Sequence, residues 1–178
     1  MPIAIALHKS PDHHFTKVTL DKIHLVAGIG VDGDAHAGEK VQHLSRVARD
    51  PGMPNLRQVH LIEVELLKEL GEKGFSVLPG ELGENITTMG IALTEMSAGT
   101  RLRIVDQTEI EITGLRNPCV QIDHFLQGLL AQVVCKKDDG TIIRKAGIMA
   151  IVITGGVINT FDEIRVDPPS EFNALTVV

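Results

Sequence analysis

The apolar residues of this chain fall into short runs of strand length, each closed by a turn rich in glycine or proline, and that spacing limits the folds open to it. Ile3 to Leu7 is one such run, Lys17 to Leu25 alternates loosely enough to be a second strand, and Ile148 to Thr154 is a third, ended by Gly155 and Gly156. Arg101 to Val105 and Glu109 to Thr113 alternate polar with apolar residues across Asp106 and Gln107, the pattern of a hairpin with one wet face. Ile164, Arg165 and Val166 form a last strand before Pro168 and Pro169. Helical spacing shows in two places. Val59, Ile62, Leu66, Leu67 and Leu70 predict one helix, with Gly71 and Gly74 as stops, and Val120, Ile122, Phe125, Leu126, Leu129, Leu130 and Val133 predict another. Many short strands and two helices, without regular alternation, favour a β-barrel-like core over a parallel α/β sheet. With 178 residues and no repeat or low-complexity linker, a single domain over residues 1–178 is expected.

Composition removes several functional classes. Tyr and Trp are absent and the net charge is −6, so stacking platforms for bases are missing and a phosphate backbone is repelled. No nucleic-acid partner is expected. No apolar run approaches the roughly 20 residues that span a bilayer, and the stretch Met1 to Leu7 has no basic leader, so a cytoplasmic protein without membrane contact is expected. Cys119 and Cys135 make no disulfide framework and should both be thiols in a reducing compartment.

Cys119 carries the strongest chemical signal. It follows Gly114-Leu-Arg116-Asn117-Pro118, and the predicted helix begins just after it, so Pro118 reads as a first-turn residue. Unpaired helix N–H groups, the positive end of the dipole and the Arg116 charge would together lower the thiol pKa. Such a thiolate serves as a nucleophile, a sulfur carrier or a soft metal ligand. A buried, inert cysteine is the plainer alternative, but Arg116, Asn117 and Pro118 make a purely apolar niche a poor fit. Cys135 follows the end of that helix, where the dipole disfavours an anion, and reads as incidental.

Other segments are weaker signals. Gly28-Ile-Gly30-Val-Asp32-Gly33 spells a dinucleotide fingerprint, but no apolar helical face follows, and Asp32 and Asp34 would repel a pyrophosphate; a glycine turn explains it. Asp34 and His36, with His43 or His60, could supply zinc ligands for a hydrolase, though a carboxylate two residues from a histidine more often accepts local N–H groups. His13 and His14 read as surface residues. Arg46, Arg49 and Arg57 suit an oxyanion ligand or surface pairing with Asp50, Glu63 and Glu65. The loop Pro79 to Gly90, with Asn85, Thr87 and Thr88, can bring short donors to a polar ligand or be a well-capped turn.

Taken together, the segments resemble the MOSC domain family, named for the C-terminal domain of molybdenum cofactor sulfurase. Gly28 to Gly38 resembles its Gly-Asp-x-His loop, Pro79 to Gly90 its Pro-Gly-x-Leu-Gly-Glu-Asn-Ile stretch, and Arg116 to Cys119 its Arg-x-Pro-Cys. Lys145 through Gly156 to Ile164 resembles its closing strands, with Phe161 where the family usually has Gly. The resemblance implies a mainly β fold, a closed barrel related to the barrel domain of pyruvate kinase with a few peripheral helices. It implies molybdenum cofactor (molybdopterin) as the ligand and, for stand-alone bacterial members, reduction of N-hydroxylated bases or related small molecules with the help of an electron-donor protein. Cys119 would then be the molybdenum ligand. Arg116, Asn117, Asn85, Thr87 and Thr88 would bind the pterin or its phosphate, with Arg46, Arg49 and Arg57 as further anion candidates. Asp34 and His36 would hold the loop or shuttle a proton. The alternative is a sulfur carrier whose Cys119 persulfide comes from a cysteine desulfurase; the pyridoxal phosphate chemistry would belong to that separate partner.

Overall fold

The structure, a computed structural model, describes residues 1–105 and 107–178. The turn expected across Asp106 and Gln107 thus falls partly outside the described residues. Among the described residues thirteen strands carry the fold: β1 Ile3–Lys9, β2 Val18–Leu20, β3 Lys22–Val26, β4 Gly30–Val31, β5 Val59–Glu63, β6 Ile86–Met89, β7 Arg101–Ile104, β8 Thr108–Leu115, β9 Val134–Lys136, β10 Ile142–Arg144, β11 Ile148–Thr154, β12 Gly156–Asn159 and β13 Ile164–Asp167. The helices are short: α1 Leu44–Val47, α2 Val64–Glu72, α3 Gln121–Phe125 and α4 Leu130–Val133.

Eight strands form the main sheet in the order β13-β7-β8-β11-β5-β6-β1-β2. β5 and β6 run parallel, and the other pairings are antiparallel. The expected closed barrel is corrected to an open half-barrel. On the edge of β1 away from β6, Leu7 to Lys9 are already paired with β2. Only the start of β1 remains free to meet the far end of the sheet, through the bridge Ile3–Glu163 and the bonds Ala4 N to Asp162 O (3.0 Å) and Ile164 N to Pro2 O (2.9 Å). A second strand on that edge leaves no room for a continuous ladder.

The inner face of the sheet and the small sheet β12-β3-β4 enclose one apolar core, in which Leu7, Leu25, Leu61, Ile86, Ile110 and Ile148 are fully buried. The outer face is covered by α2, α3 and α4 through Ile62, Leu66, Leu70, Ile122, Leu129 and Val133. Leu61 and Ile62 belong to different clusters because neighbouring strand residues point to opposite faces.

That double burial explains a misplaced helix. The helix predicted over 59–70 starts only at Val64, and Val59–Glu63 is a strand apolar on both sides, whose residues fit a helical period by coincidence. Lys17 to Leu25 divides into β2 and β3, and the loop Pro79 to Gly90 ends in strand β6. The long helix after Cys119 is also corrected: it breaks into α3 and α4, because Leu126 turns extended and Gly128 takes a left-handed φ of 85°. The Asp123 carboxylate accepts the Leu130 N–H at 2.7 Å and starts α4. Along β8, the C-terminal residues lie beside the last strand positions, with Leu115 N donating to Thr176 O and Val178 N donating to Leu115 O.

Candidate functional site

A cavity of ≈ 140 Å³ has a wall that includes Lys17, His36, Arg57, His60, Arg116 and Cys119. A wider groove of ≈ 700 Å³ adjoins it, lined by Arg46, Arg49, Arg57, Asn117 and Cys119 among others. Cys119 stands in the wall common to both, half-buried, with its Sγ donating to Gln121 Oε1 at 3.4 Å.

Two glycines make the deep wall possible. A Cβ on Gly83 would sit 2.7 Å from Phe15 O, and one on Gly80 would sit 2.9 Å from Lys17 O, so the Pro79–Gly90 loop packs its backbone against the strip Phe15–Lys17. Lys17 N also donates to Gly80 O at 2.9 Å.

Asp34 is the hub of the floor. Its Oδ2 accepts from Lys17 Nζ at 2.8 Å, Asn85 Nδ2 at 3.0 Å and Ser10 N at 3.2 Å, while Oδ1 accepts from His36 N at 3.0 Å and faces His36 Nδ1 at 3.3 Å. Burial works against its charge, but the His36 hydrogen bonds and the Lys17 ammonium prevail and hold the carboxyl well below the usual range. Asn85 is equally committed: besides Asp34 it donates to His8 O at 3.2 Å and accepts from His60 N at 3.1 Å. It positions the floor rather than offering free donors.

Arg116 is the opposite case. It is 8% exposed, its Nη1 is buried with no hydrogen-bond partner, and the Phe15 ring lies 5.8 Å from the guanidinium carbon. Burial depresses its pKa, with the nearby charges of Cys119 and Glu84 resisting. Arg57 is brought down to about 10 by burial and by Arg46 and Arg116, again resisted by Cys119. His43 is lowered to about 4 by burial and then by Arg57, so it stays neutral near pH 7. His60, fully enclosed and hydrogen-bonded through Nε2 to Ala146 O at 2.9 Å, is held well below its ordinary value by burial first and then by Arg116. The site is therefore a concave, cation-rich surface built around one thiol.

The expected helix-dipole support for Cys119 is absent, since α3 begins at Gln121 and spans five residues. Positive potential at the sulfur comes instead from the Arg57 and Arg116 side chains. Arg46 and Arg49 do face the site, in the groove. Thr87 and Thr88 do not line it: Thr87 donates to Glu84 Oε1 at 3.0 Å and Thr88 to Ile62 O at 3.5 Å, both inside the fold. Among the described residues no three His, Cys, Asp or Glu side chains gather in a set that could hold a metal, and Asp34, saturated by its donors, has no face free for zinc. His13 and His14 are exposed as expected, yet both line the cavity mouth, and the His13 ring lies 5.2 Å from that of His36. Lys17 had only a strand pattern around it in the sequence; nothing local marked it as the partner of Asp34.

Comparison with known proteins agrees with this architecture. The MOSC domain matches residues 32–165, which hold Asp34, His36, Asn85, Arg116 and Cys119. The chain belongs to the MOSC domain family. Its fold is similar to that of the YuaD protein from Bacillus subtilis, at 26% identity and a TM-score of 0.79, over 96% of this chain and 98% of that one. It is also similar to YiiM from Escherichia coli, at 16% identity and a TM-score of 0.62, over 98% of this chain and 74% of that one. YiiM from Geobacillus stearothermophilus gives 14% identity and a TM-score of 0.63, over 94% of this chain and 75% of that one. The two YiiM likenesses speak for the MOSC fold alone. No curated protein matches the sequence. No helix among the described residues is long and apolar enough to cross a membrane.

Proposed function

We propose that this MOSC domain binds molybdenum cofactor at the cavity and groove and reduces N-hydroxylated bases or related small molecules, with Cys119 as the protein ligand to molybdenum. The observation that carries the reading is the pairing of a reachable thiol with a buried guanidinium, Arg116, whose Nη1 has no partner inside the protein. An unpaired buried cation is costly unless an anion joins it, and a phosphorylated, sulfur-bearing pterin is anionic. The donor set fits such a group: one soft thiolate for the metal, Arg116 and Arg57 for anionic oxygen, Asn117 beside them, and Arg46 and Arg49 along the groove. When bound, the group would supply two-electron redox chemistry at a metal that exchanges oxygen. The chain's own part is to hold the group, to keep His43 and His60 uncharged beside it, and to fix His36 against Asp34. A reducing cytoplasm would keep Cys119 and Cys135 as thiols, as the reading requires.

The test is molybdenum content after purification from a host that makes the cofactor. Cys119→Ser should lose molybdenum and reductase activity, whereas Cys135→Ser, at a thiol outside both concavities, should keep them. Equal metal in the two variants overturns the reading. The half-exposed sulfur also supports a second role, carriage of a persulfide from a cysteine desulfurase. Intact mass after incubation with desulfurase and cysteine separates the two, since a carrier gains one sulfur atom on Cys119.

A further inference from the structure

Lys17 is an ionisable group of the cavity wall to which cofactor binding assigns no task. Lys17 keeps 3% of its side-chain surface exposed, and its Nζ lies 2.8 Å from Asp34 Oδ2. Asp34 is its one side-chain partner among the described residues, while an ammonium has three N–H donors, and Lys17 lines the same cavity as Cys119. Asp34 does not depend on Lys17 alone, because Asn85, Ser10 and His36 also donate to it. The carboxylate therefore stays satisfied if a proton leaves Nζ.

The charged and titratable neighbours of Nζ are Asp34, Glu84, Arg116, His8 and His60. Burial, followed in the same direction by Arg116, makes the ammonium a stronger acid than an ordinary lysine, against the pull of Asp34 and Glu84. His43 and His60 are held neutral and are poor proton stores by comparison.

We propose that Lys17 is a catalytic residue of the reductase, donating an Nζ–H to the oxygen of the substrate's N–O group and protonating that oxygen as the N–O bond breaks. This rests on the reductase reading above. In the overall change the substrate's N–OH group takes up two electrons and two protons and becomes N–H, with release of one water. The Nζ proton goes to the hydroxyl oxygen, and the electron pair of the broken bond leaves with it as water. The two supplied electrons and a second proton, from solvent, go to nitrogen. The electrons come from an external carrier protein of the flavin or iron–sulfur class, and solvent reprotonates Lys17.

The test compares Lys17→Arg and Lys17→Met with the wild-type protein loaded with cofactor, using benzamidoxime as substrate. Arginine keeps the charge beside Asp34 but does not release its proton, so kcat should fall about 100-fold in both variants with molybdenum content unchanged. KM should move less than about threefold, and the alkaline limb of the wild-type kcat profile should vanish in Lys17→Arg. A lysine with only a structural role would leave that limb in place. In metal-free wild-type protein, benzamidoxime should shift the Lys17 Nζ nitrogen resonance. A Lys17→Arg kcat within about threefold of wild type, or an unmoved Nζ resonance, overturns the proposal. A wild-type protein that holds molybdenum and reduces no N-hydroxylated compound defeats the reductase reading itself, which is a different result.

Discussion

Asp34 and Arg116 are both charged and buried, 6% and 8% exposed, Arg116 in the cavity wall and Asp34 behind the wall residues Lys17, His36 and Asn85. Asp34 has every oxygen occupied, by Lys17, Asn85, Ser10 and His36, whereas Arg116 keeps a buried Nη1 with no partner and an aromatic face for company. One charge is spent on holding the fold together. The other is carried by the fold at a cost that Glu84, Cys119 and the Phe15 ring offset in part and an anionic ligand would offset further.

Asp34→Ala should give the largest effect, since it strands a buried lysine and four other donors; a loss of about 3–5 kcal/mol in urea unfolding is expected. A loss below about 1 kcal/mol would mean that the floor is not built on Asp34. A buried ionisable group can also answer burial by discharging. His8, between the hydroxyls of Thr19 and Thr87, is lowered to about 4, by burial first and then by Lys17. Its unfolded form takes up a proton as pH falls below 6.5 and its folded form does so only near 4, so stability is full above that window and lost on descending through it. The unfolding free energy from urea titrations should drop across this range by up to about 1.4 kcal/mol per pH unit from this group, and His8→Gln should flatten the slope.

Arg116→Met should change stability little, or raise it by about 1 kcal/mol, because it removes a costly buried charge and breaks no hydrogen bond at Nη1, losing only the attraction of Glu84 and Cys119. Inorganic phosphate should raise the melting temperature of the wild-type protein and leave that of Arg116→Met unmoved. A strong destabilisation by Arg116→Met would place this residue with Asp34 and remove the contrast. The smallest effect tests a cost that no ligand offsets. Phe161, 68% exposed, sits at a φ of 72°, in the left-handed region that favours glycine. Phe161→Gly should stabilise by roughly 0.5–1 kcal/mol in the same assay and leave ligand binding unchanged.

The contrast also marks how far the sequence could be read. Cys119 and Arg116 were legible because they lie three residues apart in one motif. Lys17 and Asp34 were not seen as a pair, because seventeen positions and three strands separate them and burial alone makes the pair matter. Strand-rich architecture was legible from period-2 runs such as β7 and β8. β5 was hidden because it is apolar on both faces, and closure was misjudged because edge occupancy by β2 leaves no trace in local pattern. The split after Cys119 had one visible marker, Gly128, whose left-handed backbone an unbroken helix could not hold.

The bridge between Ile3 and Glu163 has a consequence for biosynthesis. The opening strand cannot have its free edge sealed before the segment around Glu163 has been synthesised, so this seam joins an early stretch of chain to a much later one. Until then the front of the sheet presents unpaired amides to every neighbour in the cell.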